Sequence, residues 1–162
     1  MAVEHERKWV VQFNNAPPPT RTLHIQQWYL QNPDAAERVR LCFQAGVAGT
    51  WTHCIKTRID DERCEEVETE ITHEQARKML ANRTVIGKVT KTRRVYEFNK
   101  RSLEVDMFMN YIPYMHGWHI LEVENPPSRM HMPNWLTVRE EVTGKHEYTN
   151  AYIAKHHSSE PK

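Results

Sequence analysis

Apolar and polar residues alternate at every second position in segment after segment: residues 3–13, 23–30, 37–43, 50–59, 65–71, 88–98, 101–108 and 119–124. A strand projects successive side chains to opposite faces, so this period predicts a succession of half-buried strands. Turn signals separate them at residues 14–19, 32–34, 46–49, 60–61 and 99–100. Connections this short suit hairpins and predict antiparallel pairing rather than parallel crossovers. One stretch breaks the period. Thr72, with Gln75 three residues on, has capping-box spacing, and Ala76, Met79 and Leu80 share one face at helical period, which predicts a helix plugging or flanking the sheet. Beyond residue 133 the pattern is mixed. Trp135, Leu136 and Val138 suit the opening of a short helix, Tyr148, Tyr152 and Ile153 a second one, and residues 156–162 a disordered tail.

Composition changes this picture little. A chain of 162 residues with no internal repeat fits one domain, placed at residues 1–155. Its 22 Lys plus Arg against 21 Asp plus Glu give a formal net charge of +1, so neither nucleic acid nor an acidic membrane surface is expected as a partner. Cys42, Cys54 and Cys64 lack Cys-x-x-Cys spacing and fit a reducing compartment. The first residues lack the apolar run of a signal peptide, and no stretch approaches the roughly 20 apolar residues of a membrane span. A soluble cytoplasmic protein, monomer or homodimer, is expected.

Local charge placement carries more information. Charges at i, i+2 spacing point the same way from a strand. The first strand offers Glu4, Glu6 and Lys8; later ones offer Arg38 and Arg40, Lys56 and Arg58, Glu66, Glu68 and Glu70, Lys91 and Arg93, Glu104 and Asp106, and Glu122 and Glu124. On one strand such alternation is what a solvated face shows. Across many strands, however, acidic pairs and basic pairs segregate, and like charges side by side on one face repel unless something of opposite sign lies between them. A polyanion accounts for the Arg and Lys pairs, because guanidinium forks bind phosphate oxygens bidentately. Hard divalent cations account for the carboxylate pairs. For all of them to face one site the sheet must close, with Val3, Val39, Val67 and Val105 turned outward or against helices and loops, and a wide barrel with a charged lumen is the geometry expected.

Rival chemistries lack their residues. No G-x-x-x-x-G-K-[ST] loop occurs, and with 5 glycines in the chain side chains must bind the phosphates. His116 and His119 beside a strand, with His131, do not have the helical i, i+4 spacing of a transition-metal pair. The five tryptophans are read as core or helix-sheet contacts.

The segment Glu4-His-Glu-Arg-Lys8 resembles the E-x-E-x-K signature that opens the CYTH proteins, or triphosphate tunnel metalloenzymes. In order along the chain follow Arg38-Val-Arg40, Ile55-Lys56, Glu66-Val-Glu68-Thr-Glu70, Lys91-Thr-Arg93, Leu103-Glu-Val-Asp106, Leu121-Glu-Val-Glu124, Pro133-Asn-Trp-Leu136 and Glu141-Val-Thr-Gly144. The resemblance implies a mainly β, α+β fold: an eight-stranded antiparallel barrel, closed or nearly closed, with a few flanking helices. It implies that Lys8, Arg38, Arg40, Lys56, Lys91 and Arg93 contact phosphates. Glu4, Glu6, Glu122 and Glu124 would carry Mg2+ or Mn2+, with Glu66, Glu68, Glu104 and Asp106 as further ligands. Lys8, Glu6 and Tyr29 would take catalytic parts, although Trp28 stands where relatives place a small residue. The implied activity is metal-dependent hydrolysis of inorganic tripolyphosphate, thiamine triphosphate or a nucleoside triphosphate. A cyclase making cyclic AMP and pyrophosphate from ATP, or a non-catalytic triphosphate or nucleotide binder, are the alternatives. After Asp106 relatives often turn at a glycine, whereas this chain continues with bulky residues 107–117, expected to reshape one mouth of the tunnel.

Overall fold

The computed structural model describes residues 2–158. The strands are β1 (Ala2–Phe13), β2 (Arg21–Leu30), β3 (Ala36–Phe43), β4 (Thr50–Arg58), β5 (Arg63–Ile71), β6 (Val85–Phe98), β7 (Arg101–Phe108), β8 (His119–Glu124) and β9 (Leu136–Glu141). Helix α1 (His73–Asn82) precedes β6, and α2 (Asn150–His156) ends the described fold. Neighbouring strands run in the order β5-β4-β3-β2-β6-β7-β8-β1, and β5 returns to pair with β1. Every pairing is antiparallel, so these eight strands close into a barrel.

β9 stands outside the expectation. Residues 136–138 open a strand, not a helix, and β9 lies against residues 9–13 of β1. The cause is an open stretch of edge. β1 pairs with β5 only from Ala2 to His5, which leaves the later half of that edge unpaired until β9 covers it. Between the two partners, single bonds stand in for a ladder: the Glu6 N–H donates to the Glu62 carbonyl at 3.0 Å, and the Lys8 N–H to Thr143 Oγ1 at 2.9 Å. This split leaves a window in the barrel wall, bordered by residues 61–64 on one side and 142–146 on the other.

Inside the barrel β1, β8 and β6 change character along their length. The inward positions of β1 run Glu4, Glu6, Lys8 and then Val10; those of β8 run Glu124, Glu122 and Ile120; those of β6 run Arg93, Lys91 and Val89. The apolar ends meet Tyr29, Ile112, Met115, Val142, Tyr148, Ile153 and Ala154 in one buried cluster that closes this end of the barrel. The bulky segment 107–117 therefore reshapes a mouth by filling it. Outside, Trp9, Val11, Leu103, Val105, Leu121 and Val123 are buried with Leu136, and half-buried Trp135 packs against them. α1, capped by the reciprocal Thr72 and Gln75 bonds, lays Ala76, Met79 and Leu80 on Leu30 and Val39. It flanks the barrel, and α2 contributes to the plug. Val3 and Val67 face outward and are exposed. Of the tail expected from residue 156, His156 closes α2, and residues 159–162 lie outside the described residues.

Two contacts holding the helices have measurable consequences. α1 ends at Arg83, whose guanidinium donates to both carboxylate oxygens of buried Glu37 at 3.0 and 2.8 Å, with His53 at 2.7 Å from the same group. The Arg83 hydrogen bonds, then those of His53 and Asn32, overcome burial and pull Glu37 from 4.5 to about 2. A depressed carboxylate contributes stability above its ordinary pKa that is lost as pH falls toward the folded value. Stability should therefore drop between pH 4.5 and about 2, and in Arg83→Ala this part of the drop should shrink; melting temperatures at pH 7 and 3 check it. At Gly87 in β6, an added Cβ would run into the backbone carbonyl of Ala154 in α2. Gly87→Ala should destabilise by roughly 1–3 kcal/mol, as overpacking does, read as a lower urea midpoint.

Candidate active site: a two-sided charged lumen

Between the plug and the open end lies a cavity of about 170 Å³ lined by Glu4, Glu6, Lys8, Arg38, Arg40, Lys56, Glu66, Glu68, Lys91, Arg93, Glu122, Glu124 and Asn150. Strand order sorts these charges. β8, β1 and β5 are consecutive round the barrel and bring Glu122, Glu124, Glu4, Glu6, Glu66 and Glu68, while β4, β3 and β6 bring Lys56, Arg38, Arg40, Lys91 and Arg93. An acidic arc thus faces a basic arc, and Lys8 stands within the acidic one.

The basic arc is incompletely neutralised. Arg40 has no ion-pairing carboxylate among the described residues; its Nε donates to Gln27 Oε1 at 2.9 Å. Burial, then Arg38 and Arg93, push Arg40 down to about 10. Arg38 reaches Glu68 at 3.6 Å, but its Nε is buried without a partner among the described residues. Buried donors without acceptors cost free energy, which an anion in the lumen would recover.

The acidic arc has the opposite need. Glu6 and Glu124 are direct cross-strand partners, a like-charge juxtaposition. Burial, then Glu122, push Glu6 above the ordinary carboxylate range against the pull of Lys8 and Lys56. Burial, then Glu4 and Glu122, do the same to Glu124. Glu4 is held by Lys56 Nζ at 2.7 Å. This oxygen-rich set fits a hard divalent cation. A second group, Cys54, Glu66 and Glu68, brings possible ligand atoms within 4.8 Å of one another. Lys8 Nζ lies 3.6 Å from Glu6 and 3.5 Å from Glu122. Burial opposes its charge, but the two carboxylates outweigh it and raise its pKa, so Lys8 stays an ammonium at neutral pH.

Glu104, Asp106 and Tyr29 are placed differently from the other expected residues. Asp106 is fully buried behind the basic arc, 2.7 Å from Lys91 Nζ and from Arg93 Nε. Glu104 accepts from Arg93 Nη1 at 2.8 Å, and Arg93 Nη2 also reaches Glu122 at 3.1 Å. These two acids of β7 act as counter-ions that hold the cations in place, and neither borders the cavity. Tyr29 lies by the plug, where its hydroxyl accepts from Gln27 Nε2 at 3.1 Å. It lines a second space, of about 420 Å³, that shares Glu6, Lys8, Arg38, Lys56 and Asn150 with the lumen and extends to residues 142–146 at the window. The charge pattern along the strands does not single out Gln27 or Asn150. Gln27 shares the inward period of Ile25 and Tyr29 and is detectable as a polar residue in that row; nothing local marks Asn150, which arrives on α2.

No protein-family model matches the chain, and no curated protein sequence does. Solved structures do. Inorganic triphosphatase NE1496 aligns over 100% of this chain and 99% of its own at 23% identity, with a TM-score of 0.60. The chain has the CYTH fold, an eight-stranded antiparallel barrel. A Hippeastrum protein described as a putative adenylyl cyclase with a dominant triphosphatase activity aligns over 75% of this chain and 80% of its own, at 14% identity and a TM-score of 0.57. A chain of the Schizosaccharomyces pombe Mediator head module also aligns, over 82% and 86%, at 12% identity and a TM-score of 0.54. A tunnel fold by itself therefore does not decide function, which has to be argued from the site. Among the described residues no helix is long and apolar enough to cross a membrane.

Proposed function

We propose that the protein hydrolyses the terminal phosphoanhydride of a triphosphate compound in its charged lumen, with a divalent metal as cofactor. The observation that carries this reading is the pairing of under-neutralised guanidinium groups with crowded carboxylates across one enclosed cavity. The triphosphatases among the structural neighbours support it. A binder that used no metal would gain nothing from Glu4, Glu6 and Glu124 beside its anion, since carboxylates near phosphate are unfavourable without cations.

In this reading Arg38, Arg40, Lys56, Lys91 and Arg93 clamp the phosphate oxygens and stabilise the charge that develops on them. Lys8, kept protonated by Glu122 and Glu6, donates to the phosphoryl group or to the oxygen that leaves with the diphosphate. Glu4, Glu6 and Glu124, with Glu122 beside them, would hold Mg2+ or Mn2+, which when bound supplies charge neutralisation and activation of the attacking water. Water adds to the outermost phosphorus and gives up a proton to solvent, the bridging P–O bond breaks, and the diphosphate departs with that oxygen.

Purified protein incubated with tripolyphosphate, thiamine triphosphate and ATP, with Mg2+ or Mn2+, should release phosphate and stop when a chelator is added. Cyclic AMP with pyrophosphate would make it a cyclase instead. Binding without turnover under either metal would reduce the site to a binder.

A further inference from the structure

The hydrolytic scheme assigns nothing to Gln27 and Asn150, yet they form a connected floor beneath the basic arc. Gln27 is fully buried, and its amide accepts from Arg40 Nε at 2.9 Å and donates to Asn150 Oδ1 at 3.2 Å. Asn150 Oδ1 accepts a second bond, from Lys91 Nζ at 2.9 Å. An ammonium group can only donate, so the Asn150 atom facing Lys91 must be the oxygen and the amide cannot be flipped. Its Nδ2 is thereby turned from both partners, has no acceptor among the described residues, and belongs to a side chain bordering the lumen.

We propose that the Asn150 amide N–H groups donate to a phosphate oxygen of the bound triphosphate, making Asn150 a substrate-binding residue that α2 carries into the lumen. The inference rests on the triphosphate reading and adds a role to it. A neutral donor suits this place. The arc already crowds Lys56, Arg38, Arg40, Lys91 and Arg93, and a sixth charge would meet repulsion that an amide does not. Thr149 supports the position, since its hydroxyl caps α2 by accepting from the Tyr152 N–H at 3.2 Å.

Calorimetric titration of inorganic tripolyphosphate into the full chain, with chelator present, tests the assignment. Asn150→Ala should weaken binding roughly 10- to 100-fold, the usual effect of losing a hydrogen bond to a charged group. Asn150→Asp keeps an acceptor for Lys91 and Gln27, so α2 stays docked and the melting temperature holds, but it turns an oxygen toward the anion and should bind more weakly than Asn150→Ala. That added charge weakens anion binding even if Asn150 only restrains Lys91, so the deciding readout is the Asn150 amide itself, which in that case should not respond to tripolyphosphate. The side-chain amide resonance that disappears in Asn150→Ala should also shift as tripolyphosphate is added. Unsubstituted protein that binds while this resonance stays in place would overturn the Asn150 assignment alone; unsubstituted protein that fails to bind would overturn the triphosphate reading with it.

Discussion

Asp106→Ala should destabilise the protein by about 3–5 kcal/mol, the range for removing one partner of a buried ion pair. Asp106 is the carboxylate that meets Lys91 at 2.7 Å, and both side chains are fully buried. Without it Lys91 keeps only the Asn150 carbonyl oxygen, whereas Arg93 retains Glu104 and Glu122. Burial already pushes Lys91 down to about 8 against the pull of Asp106, so in the variant this lysine should lose its proton near neutral pH. For a lysine with a lowered folded pKa, the penalty is complete below that value and disappears above the unfolded one, so the deficit of the variant should shrink as pH rises. Because small domains have about 5–15 kcal/mol in total, the loss would be visible in a urea titration. Added tripolyphosphate should recover part of it by supplying Lys91 with a new counter-ion. An Asp106→Ala protein as stable as the original would remove Asp106 from its role as the internal counter-ion.

Glu6→Gln should do the reverse to stability while abolishing most activity. Turnover should fall on the order of 10²- to 10³-fold, as when a preorganised charge-stabilising group is removed. The metal-free protein should gain roughly 0.2–1 kcal/mol, because the substitution relieves the cross-strand repulsion between Glu6 and Glu124. The pH dependence follows the same sign. Glu6 and Glu124 are both raised by burial, so their protonated forms favour the fold below the ordinary carboxylate pKa, and that contribution is lost as pH rises through the raised values. Glu6→Gln should flatten this slope. Lower activity together with higher stability is the signature of a site strained for function, and a core residue would lose both. Measuring phosphate release and the thermal midpoint on the same preparation separates the two.

Much of the lumen was legible because a closed barrel preserves the period of two. Glu4, Glu6 and Lys8 share a face in the sequence, and they share the cavity. What local pattern could not give was the neighbour. Asp106 and Glu124 look alike in their strands, Leu-Glu-Val-Asp and Leu-Glu-Val-Glu, yet one is buried behind the basic arc and the other lines the lumen. The difference arises because β7 lies next to β6, where Arg93 is the direct cross-strand partner of Asp106. Strand order, a long-range property, decides it. The same holds for β9, whose Thr-Val-Arg stretch becomes a strand because β1 offers an unpaired edge. Tertiary context overrides a weak local preference there. The bulky residues after Asp106 gave an unusual mouth but not its closure, since Tyr148, Ile153 and Ala154 come from the far end of the chain to complete the plug.

A crystal structure with tripolyphosphate and Mn2+ tests the two-arc lumen most directly, with the metal located by its anomalous signal. The expected result is phosphate oxygens against Arg38, Arg40 and Lys8 inside the barrel, and a manganese peak beside Glu4, Glu6 and Glu124. Phosphate bound on the outer wall, or a manganese peak away from those carboxylates with the lumen holding only water, would contradict it.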